Sequence, residues 1–223
     1  MHCFHSHELA DTMMPMKPFL HYPIVDLHCD LLSYLADDEQ KRSADDVRSH
    51  CAISQLQQGG VALQTLAIFT VTNQDSVKYG RRQADVFKSL EMKYAGRFER
   101  LRDIVQLDLS KRTNKIFTLA AVENASGFCD ESEPLEDGLR RLDSLCQEIG
   151  PMLYVTMTWH HENRFGGGNM TKVGLKDDGK KLLDTLAEKH VAIDFSHTSD
   201  ALAEEILLHI DRYGLSLAIL ASH

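Results

Sequence analysis

The chain has 223 residues, 43% of them hydrophobic, enough for one sizeable core and for one domain rather than two. Its formal net charge of -9 argues against nucleic acid or an anionic membrane surface as a partner, because neither attracts an acidic surface. The five cysteines are scattered and include no CxxC pair, which speaks against a disulfide framework or a zinc knuckle and for a reducing, cytoplasmic compartment.

Residues 1–22 contain no apolar core behind a basic start, and no later run is long enough to cross a bilayer. The expectation is a soluble, unexported chain with a loose N-terminal tail, to which the HxH pair His5 and His7 belongs. From residue 23 to residue 223 the pattern alternates. Six short aliphatic runs, "PIVDLHCD" (23–30), "VALQTLAIFTV" (61–71), "IFTLAAVE" (116–123), "MLYVTMTW" (152–159), "VAIDFSH" (191–197) and "LAILASH" (217–223), are nearly continuous in apolar residues. That is the pattern of parallel strands buried on both faces.

Between the runs the period changes to that of a helix. Ser43 and Asp46 offer a capping box for a helix ending at Gly59 and Gly60. A stripe from Val77 through Phe87, Leu90 and Phe98 to Leu101 predicts a long helix within 75–106, with Gly80 and Gly96 as possible interruptions. Leu135, Leu142 and Ile149 define a third helix closed by Gly150 and Pro151, and Leu182, Leu183 and Leu186 a fourth. Ser199 is a suitable N-cap for a fifth, carrying Leu202, Ile206 and Ile210. Strand and helix in alternation suit either an open doubly wound α/β sheet or a (β/α)8 TIM-type barrel.

Polar residues gather where a barrel carries its chemistry, at the C-terminal ends of several strands. His28 and Asp30 close the first run, Glu123 the third, His197 the fifth and His223 the sixth. Alternate strand residues share a face, so His28 and Asp30 can aim an imidazole and a carboxylate at one point while Cys29 turns away. Both groups are suitable zinc ligands. Three histidines and two carboxylates exceed the needs of one zinc, and a bridging carboxylate would suit two metals about 3.5–4 Å apart. Asp26, on the same face, is expected to orient a ligand histidine rather than to bind metal. His190 and His209 fall within or at the ends of helical stripes, with no chemical role expected. "RFGGGN" (164–169) is not a phosphate loop, since no GK[ST] follows; a mobile active-site loop and a plain connector remain open.

Several stretches, in order, resemble the membrane dipeptidase (renal dipeptidase) family of binuclear zinc peptidases: "DLHCDLL", "LQQGGVALQTLAIF", "AAVENASGF", "YVTMTWHHEN", "GLKDDGKKLLDTLAEKHVAIDFSH" and "LAILASH". The resemblance implies a metal-dependent hydrolase barrel with two zinc ions. His28 and Asp30 would bind one, Glu123 would bridge and serve catalysis, and His197 and His223 would bind the other. It also implies hydrolysis of the amide bond of small dipeptides by a metal-bridging hydroxide.

The family's substrate-binding histidine has no counterpart in its usual slot, where Trp159 stands; His160 is the candidate after a shift of one residue. A barrel of this kind typically has eight strands and about 250 residues, so about six strands are expected here, with the last two strand-helix units missing. Unpaired edges on the first and last strands would then favour association, including a homo-oligomer. A non-catalytic metal-binding fragment or remnant is the alternative to the enzyme, and an open α/β binding protein without metal a third possibility.

Overall fold

The computed structural model describes residues 22–38, 40–110 and 114–223. The expectations for the tail, including His5 and His7, therefore lie outside the described residues. The elements run β1 (Ile24–Asp26), α1 (Leu31–Asp37), α2 (Ile53–Gly59), β2 (Val61–Phe69), α3 (Ser76–Lys93), β3 (Phe98–Arg100), β4 (Ile116–Glu123), α4 (Leu135–Ile149), β5 (Met152–Thr156), α5 (Asp177–Lys189), β6 (Ala192–Asp194), α6 (Asp200–Tyr213) and β7 (Ile219–Leu220).

All strand pairs are parallel, and the order across the sheet is β1-β2-β4-β5-β6-β7. A doubly wound sheet reverses its strand order at a switch point; this sheet does not reverse. The helices follow the same sequence, α1 against α3, α3 against α4, α4 against α5 and α5 against α6. They therefore form one outer layer around a curled sheet, and the architecture is an incomplete TIM-like barrel.

The core lies between the sheet and this helical layer. Leu66, Ile68, Ala120 and Val122 of the central strands meet Ala84, Phe87 and Leu90 of α3, with Leu142 and Ile149 of α4 and Leu182 and Leu186 of α5 continuing the same cluster. Each such large side chain contributes about 1.5–3 kcal/mol by leaving water. The helix ends follow local chemistry. Ser199 Oγ accepts from the Leu202 N–H to start α6, while Gly60 ends α2 in the left-handed region at φ +76°. Gly80 does not interrupt α3 but lies buried within it: a Cβ there would sit 2.4 Å from the Gly127 carbonyl oxygen, so its absence lets α3 settle on the turn after β4.

Three local expectations are corrected. The stripe beyond Lys93 is not helix, because Gly96 adopts φ +77° and the chain turns back to lay β3 beside the first half of β4. The stretch from Ser43 is not a continuous helix. The Tyr94 hydroxyl takes the Ala44 N–H at 2.9 Å and lies 3.2 Å from Ser43 Oγ, a single 3-10 turn spans Val47–Ser49, and α2 starts only at Ile53. The expected strands overreach at their C-terminal ends: β1 stops at Asp26, four residues early, and β5, β6 and β7 stop three residues early at Thr156, Asp194 and Leu220, while "LLSYLAD" is a short helix, α1, with Leu31, Leu32, Leu35 and Ala36 buried.

The outermost strands, β1 and β7, have one neighbour each among the described strands, and Ile24, Val25 and Ile219 are 40–45% exposed there. Among the described residues no helix is long and apolar enough to cross a membrane.

Candidate metal centre

One register row crosses the C-terminal end of the sheet: Phe69 pairs with Glu123, Glu123 with Thr156, Thr156 with Asp194 and Asp194 with Leu220. Laterally paired residues of a parallel sheet point to the same face, so Glu123, Thr156 and Asp194 share the concave side. Glu123 is 3% exposed and is the hub of the histidines. Its Oε2 lies 3.3 Å from His28 Nε2, its Oε1 3.1 Å from His197 Nε2 and 4.0 Å from His223 Nε2. His197 and His223 bring their Nε2 atoms to 2.9 Å, and the His28 and His223 rings lie 3.8 Å apart between centroids.

His28, Glu123 and His223 each offer a donor atom within 4.8 Å of the others, a set of imidazole and carboxylate donors that fits a divalent transition metal such as zinc. Asp30 Oδ1 is 3.6 Å from His28 Nε2, but its side chain is 61% exposed at the rim. The five expected residues are thus gathered from four separate segments, with Asp30 the outermost. Strand alternation does not explain the first pair as expected. β1 is over by Asp26, and a single further ladder bond, from the Ala67 N–H to the Cys29 carbonyl at 2.9 Å, carries His28 along β2 before α1 begins after Asp30.

Two of the imidazoles, His28 and His223, have a partner at the other nitrogen. His28 Nδ1 lies 2.8 Å from the Tyr154 hydroxyl. Asp26 does not orient this ring: its Oδ1 accepts from the His28 backbone N–H at 3.1 Å, which braces the turn instead. Asp194 is wholly buried, and its carboxylate accepts from Thr156 Oγ1 (2.6 Å), the backbone N–H and Oγ of Ser196 (3.3 and 3.0 Å) and the backbone N–H and Oγ of Ser222 (2.8 and 2.9 Å). With its proton spent on Asp194, Ser222 Oγ accepts from His223 Nδ1 at 2.9 Å, which leaves His223 Nε2 for the interior. Behind Glu123, Asn124 is buried at φ +72°, and its amide is shared among Thr70, Thr72, Ser126 and Asn163. This lattice of buried polar groups secures the turn that follows the hub.

Electrostatics separate two of the histidines. Burial opposes the charged form of His28, but hydrogen bonds to Asp30 and Glu123 outweigh it and push the pKa up to about 9. His197 is pushed below its ordinary value by burial, opposed by Glu123 and reinforced by repulsion from His223, His160 and His28. A metal entering this centre must therefore displace a firmly held proton from His28.

His160 borders the same mouth, its ring 5.4 Å from that of His197, and Trp159 stacks on it at 3.9 Å. Asn169 Oδ1 lies 2.9 Å from His160 Nδ1, which ties the "RFGGGN" stretch to the site. The stretch is neither a free loop nor a plain connector. Gly166, Gly167 and Gly168 are buried, the Gly167 carbonyl accepts from the Ser199 N–H at 3.0 Å, and a Cβ on Gly168 would meet the Trp159 carbonyl oxygen at 2.0 Å. His209 bonds Asp184 at 3.1 Å and His190 ends α5 in the left-handed region, both away from the centre.

Tyr154, Asp194, Ser222, Asn124 and Asn169 were not singled out from the sequence. Asp194 had a signal, a carboxylate inside an otherwise apolar strand; Tyr154 had none, since an aromatic residue in a buried strand reads as core.

Several solved structures share the fold. A metallopeptidase from Rhodobacter sphaeroides, liganded with a phosphinate mimic of the dipeptide L-Ala-D-Ala, superposes with a TM-score of 0.72 at 17% identity, covering 90% of this chain and 64% of that one. The dipeptidase AC, a metallopeptidase of family M19, gives 0.72 at 16% identity, covering 91% and 63%. The probable dipeptidase PvdM from Pseudomonas aeruginosa gives 0.62 at 15%, covering 86% and 55%. The chain thus spans less than two thirds of the length of these structures. Comparison with curated protein sequences gives no significant match. The sequence profile of the membrane dipeptidase family (peptidase family M19) matches residues 18–212, and the chain belongs to that family.

Proposed function

We propose that this chain carries the metal centre of a zinc-dependent dipeptidase that hydrolyses the amide bond of small dipeptides. The observation that carries the proposal is the buried Glu123 carboxylate, which has His28 on one oxygen and His197 and His223 on the other. His28 and Asp30 would hold one zinc, His197 and His223 the second, and Glu123 would bridge them. Bound there, two divalent ions would lower the pKa of a water molecule and polarise the amide carbonyl.

The chain's own residues do the positioning. Glu123 fixes the separation of the histidine sets, and Asp194 through Ser222 turns His223 inward. His160, oriented by Asn169 at the mouth, is placed to donate to or accept from a dipeptide. Membership of the family and the fold shared with dipeptide-directed peptidases support the substrate class.

Steady-state assay of the purified 223-residue chain with added zinc against a dipeptide panel tests this. Turnover abolished by a chelator and restored by zinc is expected. Bound zinc without turnover would favour instead a non-catalytic metal-binding domain.

A further inference from the structure

The Tyr154 phenol lies on β5, separated from β1 in the sheet by β2 and β4, and is fully buried. It nonetheless reaches the turn after β1 across the concave face. Its hydroxyl is 3.1 Å from the Leu27 carbonyl oxygen and 2.8 Å from His28 Nδ1. A carbonyl oxygen only accepts, so the Tyr154 O–H donates to Leu27. The phenol oxygen is then left with lone pairs alone for His28, and the imidazole must keep a proton on Nδ1 to complete the bond. Nε2, on the far side of the ring, is the nitrogen that faces Glu123 at 3.3 Å and Asp30 at 3.6 Å.

We propose that Tyr154 is a positioning residue for the metal centre, holding His28 as the Nδ1–H tautomer with its Nε2 lone pair directed at the metal site. The proposal rests on the reading of this cluster as a metal centre. It assigns to a tyrosine the task that a carboxylate or backbone carbonyl commonly performs for a ligand histidine. Two features make the phenol suited to it. Tyr154 is anchored in a central strand while His28 stands beside an outermost one, so the hydroxyl ties an edge segment to the rigid part of the sheet. The same hydroxyl bonds both the backbone just before His28 and the ring itself, so it sets the position and the rotation of the imidazole together.

The test is zinc affinity, measured by chelator competition on the full chain, for the wild type, Tyr154→Phe and His28→Ala. Tyr154→Phe keeps the ring in the core and removes only the oxygen. Its zinc affinity is expected to fall about 10- to 100-fold, with helical circular dichroism unchanged. In long-range proton–nitrogen spectra of the zinc-loaded wild type, His28 is expected to show a proton on Nδ1 and zinc on Nε2. In Tyr154→Phe the Nδ1 proton signal is expected to be lost to solvent exchange. Weakened binding in His28→Ala but wild-type affinity in Tyr154→Phe would overturn the role of Tyr154 and leave the metal centre standing. Unchanged binding in both variants would overturn the metal centre itself. Zinc on Nδ1 of wild-type His28 would overturn the proposal without any variant.

Discussion

Replacing His28 with glutamine should change how the metal-free protein responds to pH, in a window set by the two carboxylates beside its ring. The folded chain holds the His28 proton to about 9, because Asp30 and Glu123 outweigh the cost of burial, whereas an unfolded histidine titrates near 6.5. A raised pKa means that the folded state binds this proton more tightly. The stabilisation is therefore fully present below pH 6.5 and is lost as the pH climbs through 9. A rise from 6.5 to about 9 corresponds to about 3 kcal/mol. His197 runs the other way: burial lowers its pKa, so its effect is confined to the region below 6.5, where stability falls as the unfolded chain takes up protons. The Cys29 and Cys51 thiols share a hydrogen bond that shifts them in opposite directions, Cys29 up and Cys51 down, and both thiols are common to the wild type and the variant. Subtracting the His28→Gln variant from the wild type cancels their contribution. Urea unfolding in the presence of a chelator at pH 6.5, 7.5 and 9 measures the difference. It should shrink by about 3 kcal/mol across the window, and a difference that is flat or grows with pH would refute the assignment.

The same proton governs metal binding. Zinc affinity should increase about tenfold per pH unit from 6.5 toward 9 and level off above it, as competition titrations across this range would show. Asp194→Asn places an amide N–H₂ among hydroxyl and backbone donors in a wholly buried site, which should cost about 1–3 kcal/mol and lower the thermal midpoint by several degrees in a melt of the metal-free protein. Gly80→Ala forces a methyl to 2.4 Å from the Gly127 carbonyl oxygen. Loss of about 1–3 kcal/mol is expected in urea unfolding, and an unaltered midpoint would show that α3 yields without cost.

Much of this architecture is legible in the sequence because parallel strands buried on both faces leave long apolar runs. "IFTLAAVE" corresponds to β4 residue for residue, and the Leu135–Ile149 stripe to α4. Where one residue could override a pattern, the sequence misled. The stripe that continues through Phe98 and Leu101 has helical spacing, but Gly96 breaks it, and Phe98 is buried in a short strand with Leu101 buried just after it. Ser43 looks like a cap until Tyr94, 51 positions away, takes its hydroxyl. The site divides along the same line. Its candidate ligands stand out as polar groups at the ends of apolar runs, and the structure gathers them around Glu123. Their supports do not stand out, since Tyr154 and Ser222 acquire meaning only from neighbours 126 and 28 positions away. Asp26 illustrates the limit of face-based argument: it does lie by His28, yet it holds the backbone and leaves the ring to a residue on another strand.

The central claim is that five side chains from distant segments hold two divalent ions. Elemental analysis of the zinc-reconstituted chain after gel filtration, beside Glu123→Ala and His223→Ala, tests it most directly. The account predicts two zinc ions per wild-type chain, none retained stably by Glu123→Ala and at most one by His223→Ala. A wild-type chain that emerges without zinc, or variants that retain as much as the wild type, would contradict it.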